Sequence, residues 1–383
     1  MDSNKTIKID WTATLFLTLT PVVSALLLWY FFSFESFHYG YVLLFGFFYV
    51  ASLVSITAGY HRLFSHRAYE AHWSLRLFFA LFGAAAFQQS ILKWGGDHRV
   101  HHRFVDTDKD PYNIGRGFWY AHVLWMFLDD GRRDEPDYAR YSIDLKRDPI
   151  VMWQEKYYVP LAIAMGFLLP AVIGAFMGSF IGGLLFGGFL RIVIGHHVTF
   201  FINSLCHMWG KQTYTDTNTA KDSLILAVFT FGEGYHNFHH YFHKDYRNGV
   251  RWYNYDPTKW AIRMAQWVGL AQKLHRVSKV EIEKARMAMV EKHYQMKSSP
   301  RVEAVLAQLQ TLREKWEVCG LAFEKKKAEY KELRRTRFEE RCQVREERMK
   351  TLKKELRMAR REMRVALSQW KAYSLRLKQL APA

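Results

Sequence analysis

Histidines in three tight groups dominate the chemistry this sequence offers. They read His61-Arg62-Leu63-Phe64-Ser65-His66, His98-Arg99-Val100-His101-His102 and His236-Asn237-Phe238-His239-His240, with His207 standing between the second and the third. Imidazole is the commonest protein ligand for iron, zinc and copper. In the second and third groups the spacing is i, i+3, i+4. Those positions share one face of an α-helix, so each triplet aims at one place. His61 and His66 are five apart, about 140° on an ideal helix, so a helix carrying both must end or bend between them. Asn203 lies one helical turn before His207 and shares its face. Nine imidazoles are too many for one metal, since a tetrahedral zinc site takes about four ligands. Two metals with four or five ligands each, and open positions left over, fit better than solvated or core histidines.

The elements that must position these groups read as membrane spans. Half of the 383 residues are hydrophobic, and the long apolar runs precede residue 205. Residues ~11–33, ~38–59, ~157–177 and ~180–205 each hold about 20 largely apolar residues, enough to cross ~30 Å of hydrocarbon. The first run follows Met1 to Asp10 without a small-residue cleavage site, and is expected to be a retained span. Residues ~73–92 are apolar but carry Arg76, Gln88 and Gln89. A crossing there would put the first two histidine groups on opposite sides, so a helix lying at or dipping into the interface is expected. Gly182-Gly183 and Gly187-Gly188 allow close helix packing. Four spans return the chain to its starting side, which joins His207 and the third group to the first two. Positive charge after the fourth span places that side, with both termini, in the cytoplasm. The sequence therefore predicts an all-α integral membrane protein. Four transmembrane helices are capped by a helical cytoplasmic domain, residues ~60–156 and ~207–285, and the whole domain spans 1–285.

Net charge is +18, and in residues 301–383 the 23 lysines and arginines face 12 glutamates and no aspartate. Such a surface fits anionic lipid, an acidic acyl carrier or an acidic redox partner. No nucleic-acid motif is present. Cys206, Cys319 and Cys342 form no paired framework, as in a reduced compartment. Ser298-Ser299-Pro300 marks a boundary, after which residues 300–383 form a basic extension. Its apolar positions follow heptads: Val302, Val305, Leu309, Leu312, Trp316, Cys319 and Phe323, then Met349 through Leu352, Leu356, Ala359, Met363, Ala366, Trp370, Tyr373, Leu377 and Leu380. That pattern predicts a coiled-coil-like tail that self-associates or pairs its two halves. A single amphipathic helix on the domain or on lipid is the alternative.

The four stretches Ala58-Gly59-Tyr60-His61-Arg62-Leu63-Phe64-Ser65-His66, Asp97-His98-Arg99-Val100-His101-His102, Asn203-Ser204-Leu205-Cys206-His207 and Gly232-Glu233-Gly234-Tyr235-His236-Asn237-Phe238-His239-His240 resemble the membrane fatty acid desaturases, in the acyl-CoA Δ9 (stearoyl-CoA) branch. Their order and intervals match as well, over roughly residues 10 to 280. The resemblance implies that His61, His66, His98, His101, His102, His207, His236, His239 and His240 bind two non-haem irons, with Asn203 acting through a bound water. It implies an O2-dependent desaturase that puts a cis double bond, at Δ9, into a saturated acyl chain. Gln88, Trp94 and Thr199 match positions lining the bend of a substrate tunnel, and Thr199 independently shares the face of Asn203. His196 continues that stripe; His197 lies beside it.

Asp97, Glu233, Asp106 and Asp110 are close enough in sequence to fix imidazole tautomers. Vertebrate members carry basic residues for the CoA phosphates where this chain has Gly96, Asp129 and Asp130. Carboxylates repel phosphate, so acyl carrier protein or a membrane lipid stays open beside CoA as carrier. No GxGxxG, haem or four-cysteine cluster pattern is present, so electrons are expected from a ferredoxin, a rubredoxin or a b5-type cytochrome. Two other functions compete: a fatty acyl or alkane hydroxylase on the same chemistry, and a zinc-binding membrane scaffold.

Overall fold

The computed structural model describes residues 7–129, 131, 136–295, 299–335 and 343–380. The chain divides into two compact units, Met1–Gln212 with Asp216–Arg276, and Thr213–Thr215 with Val277–Ala383.

In the first unit, four helices among the described residues are long and apolar enough to cross a membrane: Trp11–Phe34, Gly40–Ser65, Tyr158–Phe176 and Phe180–Met208. Of their most apolar stretches, 17%, 56%, 28% and 50% respectively is buried within the protein. The second and fourth are therefore the inner helices; they carry His61 and His207, and His66 caps the end of the second. The first begins at Asp10, whose carboxylate accepts from the Ala13 backbone N–H at 3.0 Å, a standard N-cap. Trp73–Ala84 is apolar but only 12 residues long. At 1.5 Å per residue it reaches about 18 Å, short of a bilayer core.

The second span ends in a way the spacing did not foretell. Ser55–Ser65 winds as a π-helix. Its i→i+5 bonding, seen in His66 N–H to His61 C=O at 3.1 Å, stacks residues five apart. The helix ends at Ser65, with His66 as its C-cap, so it does stop between the two histidines as their spacing requires, and its wide last turns bring their rings to 4.9 Å.

The other histidine groups sit on helices Ile91–Phe104 and His236–Tyr241. Ser90 caps the first of these through Lys93 N–H. The only strands among the described residues form two antiparallel ladders of two residues each, Lys8–Ile9 with Leu128–Asp129 and Glu70–Ala71 with Ala271–Gln272. They are small exceptions to an all-α fold.

Glycines let the third and fourth spans touch backbone to backbone. A Cβ on Gly183 would lie 2.3 Å from Pro170 O, and one on Gly174 2.3 Å from Gly183 Cα. No side chain fits there.

Among the described residues the second unit holds the helices Lys279–Gln295, Pro300–Arg335 and Gln343–Leu380. The last two run antiparallel, as ion pairs Lys326–Glu355 and Arg348–Glu329, each at 2.7 Å, require. Leu309, Trp316, Ala366, Trp370 and Leu377 fill the seam with Val280, Met287 and Tyr294 of the first helix. Glu291 is buried there, accepting from Trp370 Nε1 at 3.2 Å and Arg313 Nε at 2.9 Å. The expected boundary at 285 falls inside helix Lys279–Gln295, whose apolar face belongs with the tail. Residues 336–342, Cys342 among them, and 381–383 of the expected tail lie outside the described residues.

Gly183→Val should destabilise the folded protein by about 1–3 kcal/mol through overpacking. Gly46→Val should leave it unchanged, because nothing lies within 4 Å of a Cβ at Gly46. Thermal unfolding in detergent compares the two; equal melting points would refute the close-contact account.

Candidate metal centre

The nine expected histidines converge in two groups. His61, His66, His98, His102 and His239 form one; His101, His207, His236 and His240 form the other. Within each group, one nitrogen per ring lies within 4.8 Å of all the others. The groups adjoin through His102 and His240, whose rings stack at 4.3 Å.

The rings meet through their Nε2 atoms. His61 to His239 is 2.9 Å, His66 to His98 2.8 Å, His239 to His102 2.9 Å, His236 to His207 3.1 Å and His101 to His240 3.3 Å. Several Nδ1 atoms are committed elsewhere. His61 Nδ1 contacts Glu233 Oε2 at 3.0 Å, and His101 Nδ1 contacts Asp110 Oδ1 at 2.8 Å. His207 Nδ1 meets Thr219 Oγ1 at 2.8 Å, and that hydroxyl donates to Asp106 at 2.6 Å. His98 Nδ1 is 3.3 Å from the Tyr112 hydroxyl. A carboxylate on Nδ1 keeps the proton there and turns the Nε2 lone pair inward. Lone pairs this close repel unless a cation lies among them. The residues present therefore fit a transition metal ion in each group; the five donors of the first exceed the four of a closed structural zinc site, and the second has four.

Electrostatics agree. Burial, with neighbouring rings adding to it, holds His66, His98, His102, His236, His239 and His240 well below the ordinary imidazole range. They stay neutral, as ligation needs. Burial alone would raise the Glu233 carboxyl, but His61 and Arg62 outweigh it and bring it down to about 2. Arg62 is itself buried and donates to Glu233 at 2.8 Å and to Tyr246 O at 2.9 Å, and its guanidinium pairs with Asp256 at 3.1 Å. Asn248 adds 2.7 Å to the other Glu233 oxygen.

Of the four carboxylates expected near the rings, Glu233 and Asp110 touch a ring nitrogen directly and Asp106 acts through Thr219. Asp97 accepts from the Tyr138 hydroxyl at 2.8 Å. Tyr112 and Thr219 were not foreseen, because nothing in helical spacing connects them to a histidine. His243 was also missed, though it follows His240 by three. Its ring lies 5.5 Å from that of His66 and 5.9 Å from that of His102.

A cavity of 730 Å³ opens onto both groups, touching His61, His98, His101 and His236. Gln88, Trp94, Thr199 and Asn203 all line it, as does His196. Gln88 Nε2 donates to Thr199 Oγ1 at 2.9 Å, and Trp94 stacks on His98 at 4.8 Å. Most of the remaining wall is apolar and includes Phe16, Leu17, Phe87, Ile163 and Phe167. Those residues read in sequence only as generic span positions.

Residues 36–266 match the fatty acid desaturase family, and the chain belongs to it. It is 46% identical over 256 residues to acyl-CoA desaturase 1 of Saccharomyces cerevisiae, covering 66% of this chain and 49% of that protein. It is 50% identical over 240 residues to a probable acyl-CoA desaturase of Schizosaccharomyces pombe, covering 62% and 49%. Stearoyl-CoA desaturase 5 of Bos taurus is 36% identical over 243 residues, covering 62% and 72%. The chain thus matches about half the length of the two yeast relatives. The family match ends before the main stretch of the second unit, which starts at Val277.

Glu233→Gln should keep the fold and lower metal affinity about 10–100-fold, the usual effect of losing a partner behind a ligand. Metal content after dialysis against a graded chelator measures this; wild-type retention would show that Glu233 does not support His61. Acid should act on the metal-stripped protein through the rings. The folded state resists protons that the unfolded chain takes up below about pH 6.5, so stability should fall as pH drops through that value. Denaturant midpoints flat between pH 7 and 5 would contradict neutral buried rings.

Proposed function

We propose that this chain is an O2-dependent fatty acyl desaturase using a histidine-held di-iron centre. The observation carrying this is the apolar cavity that ends on both histidine groups, in a member of the fatty acid desaturase family. An acyl chain fits such a wall, within the usual size range of lipid and cofactor pockets. The reaction is R–CH2–CH2–R′ + O2 + 2 e⁻ + 2 H⁺ → R–CH=CH–R′ + 2 H2O, with the double bond cis and at Δ9. Iron, when bound, supplies the oxygen activation that breaking an unactivated C–H bond requires.

The protein's own residues do the rest. Nine imidazoles hold the metals, and Asn203 faces the same cavity one turn from His207. Glu233, Asp110 and the Thr219–Asp106 pair keep ring protons on Nδ1. Phe16, Phe87 and Phe167 exclude water. The Gln88–Thr199 hydrogen bond, with Trp94, fixes the wall nearest the metals and so selects which two methylenes lie there.

The two electrons come from a small external carrier, a ferredoxin, rubredoxin or b5-type cytochrome, drawn to a basic surface. The carrier of the acyl chain is CoA, as the names of the relatives support. Its phosphates would need cations other than those of the vertebrate pattern. A Cβ on Gly96 would lie 2.7 Å from the Tyr138 hydroxyl, Asp129 pairs in a ladder with Lys8, and Asp130 lies outside the described residues. The site and both termini face the cytoplasm, by the even number of spans and the positive charge that follows them.

Expression in a host lacking desaturases, followed by lipid analysis, tests the activity. Unsaturated acyl chains that depend on O2 are expected; hydroxylated chains would make it a hydroxylase, and neither product would end the enzymatic reading. Thr199→Trp should fill the cavity and abolish product while iron stays at two equivalents. Unchanged product would remove Thr199 from the substrate path.

The tail contains none of the site residues. Deleting residues 277–383 should leave iron content and chemistry intact and alter oligomeric state or membrane attachment. The cut falls there, not after Pro300, because Val280, Met287 and Tyr294 need the tail helices to cover them. Size in detergent and product yield check this; loss of product from a folded, iron-loaded truncation would give the tail a catalytic role.

A further inference from the structure

Arg191 is a guanidinium buried in the middle of a bilayer-spanning helix, 1% exposed. A charge at that depth is expensive and is a functional candidate by default. It takes no part in the metal centre. Its hydrogen bonds go to four neutral oxygens: Nε to Gly187 O at 3.0 Å, one terminal nitrogen to Ser52 Oγ at 3.2 Å and Ala85 O at 2.6 Å, the other to Gly166 O at 3.1 Å. Ser52 is on the second span, Gly166 on the third and Gly187 on the fourth. Ala85 ends the short helix Trp73–Ala84, where carbonyls lack helical partners and attract positive charge. Gly166 and Gly187 lie in π-helical turns, where the regular carbonyl ladder is interrupted. Only a planar five-donor fork reaches all of these acceptors at once.

The carbonyl of Ala85 opens a strained turn. Phe87 and Gln89 both adopt positive φ, 54° and 71°, which non-glycine residues hold only when surroundings force it. Three groups supply the force. Arg191 holds Ala85 O. His196 Nε2 donates to Ala86 O at 2.8 Å. Gln89 N–H donates to the Tyr158 hydroxyl at 2.9 Å. The turn in its turn builds the cavity wall. Phe87 stacks on Phe16 at 4.9 Å and lies 4.8 Å from the Phe167 ring, and Gln88 makes the bond to Thr199. Gly166 backs directly onto it, since a Cβ there would lie 2.4 Å from the Phe87 ring.

We propose that Arg191 is a positioning residue that sets double-bond position: its guanidinium locks the 85–89 turn to three spans and thereby fixes where an acyl chain sits along the metal centre. The proposal rests on the acyl desaturase reading. It says that the register of substrate against the two histidine groups is set by a charge that touches neither substrate nor metal.

The test uses the full chain with Arg191→Lys and Ser52→Ala, expressed in the desaturase-deficient host. Arg191→Lys keeps the charge but loses the fork, and Ser52→Ala removes one acceptor and carries the test if the lysine variant does not fold. Iron content should equal wild type. Amide exchange at residues 85–89 should quicken about tenfold for Arg191→Lys, the scale of one lost charged hydrogen bond, and less for Ser52→Ala. The products should spread from one double-bond position to neighbouring ones. A folded, iron-loaded variant with wild-type products overturns the proposal, whether or not exchange at the turn has changed. A wild type that makes no unsaturated lipid defeats the desaturase reading instead, and unchanged exchange at 85–89 would then still show that Arg191 does not hold the turn.

Discussion

Nine imidazoles, seven of them buried and His102 and His240 half-buried, with their Nε2 atoms turned toward one another, define what this fold must accomplish. Neutral rings set nitrogen to nitrogen at about 3 Å gain little from each other, and protonated ones would repel. The arrangement makes sense as a socket for cations, and His61, His98, His101 and His207 are held in it from behind through their Nδ1 atoms. The charges behind the rings are themselves buried, Arg62 between Glu233 and Asp256. Removing one member of such a set strands the others, which is far costlier than never burying them. Ligand geometry is thereby insured by a network lying outside the ligand sphere.

The spans serve the same end. The inner two bring His61, His207 and, one residue past the end of the second, His66 to where the apolar stretch stops, and the glycine contacts between the third and fourth let the bundle close tightly around a cavity that ends on the histidine groups. Lipid-facing residues of the first span look unspecific, yet its N-terminal turn supplies Asp10, Ala13 and Phe16 to that cavity.

Much of this was legible in sequence. Histidines at i, i+3, i+4 announce a shared face, and apolar runs of about twenty residues announce spans, because both signals are local. The need for the first two groups to meet even argued against a crossing at residues ~73–92, where the structure has the 12-residue helix Trp73–Ala84. What was not legible depends on contacts between distant segments. Thr219 reaches His207 only through a loop, Tyr112 reaches His98 across a turn, and Phe87 matters because a left-handed turn presents it. Helix Lys279–Gln295 was split by the expected boundary since its amphipathic pattern is weak until the tail helices lie against it. The tail's own heptads were visible, but a periodic seam does not say which surface will cover it; here the apolar stripe from Leu352 to Leu377 is covered within one chain.

The π-winding of the second span bears on how such sites are recognised at all. A pair of histidines five apart stands about 140° apart on an α-helix, but the wider turn of a π-helix, bonded i→i+5, brings such a pair onto one face. Spacing and winding are thus two halves of one code. A chain that dropped one residue between His61 and His66 could recover the same ring placement by relaxing Ser55–Ser65 to ordinary α-turns, so that a single-residue gap at this point separates two solutions to one geometry and not a working site from a broken one.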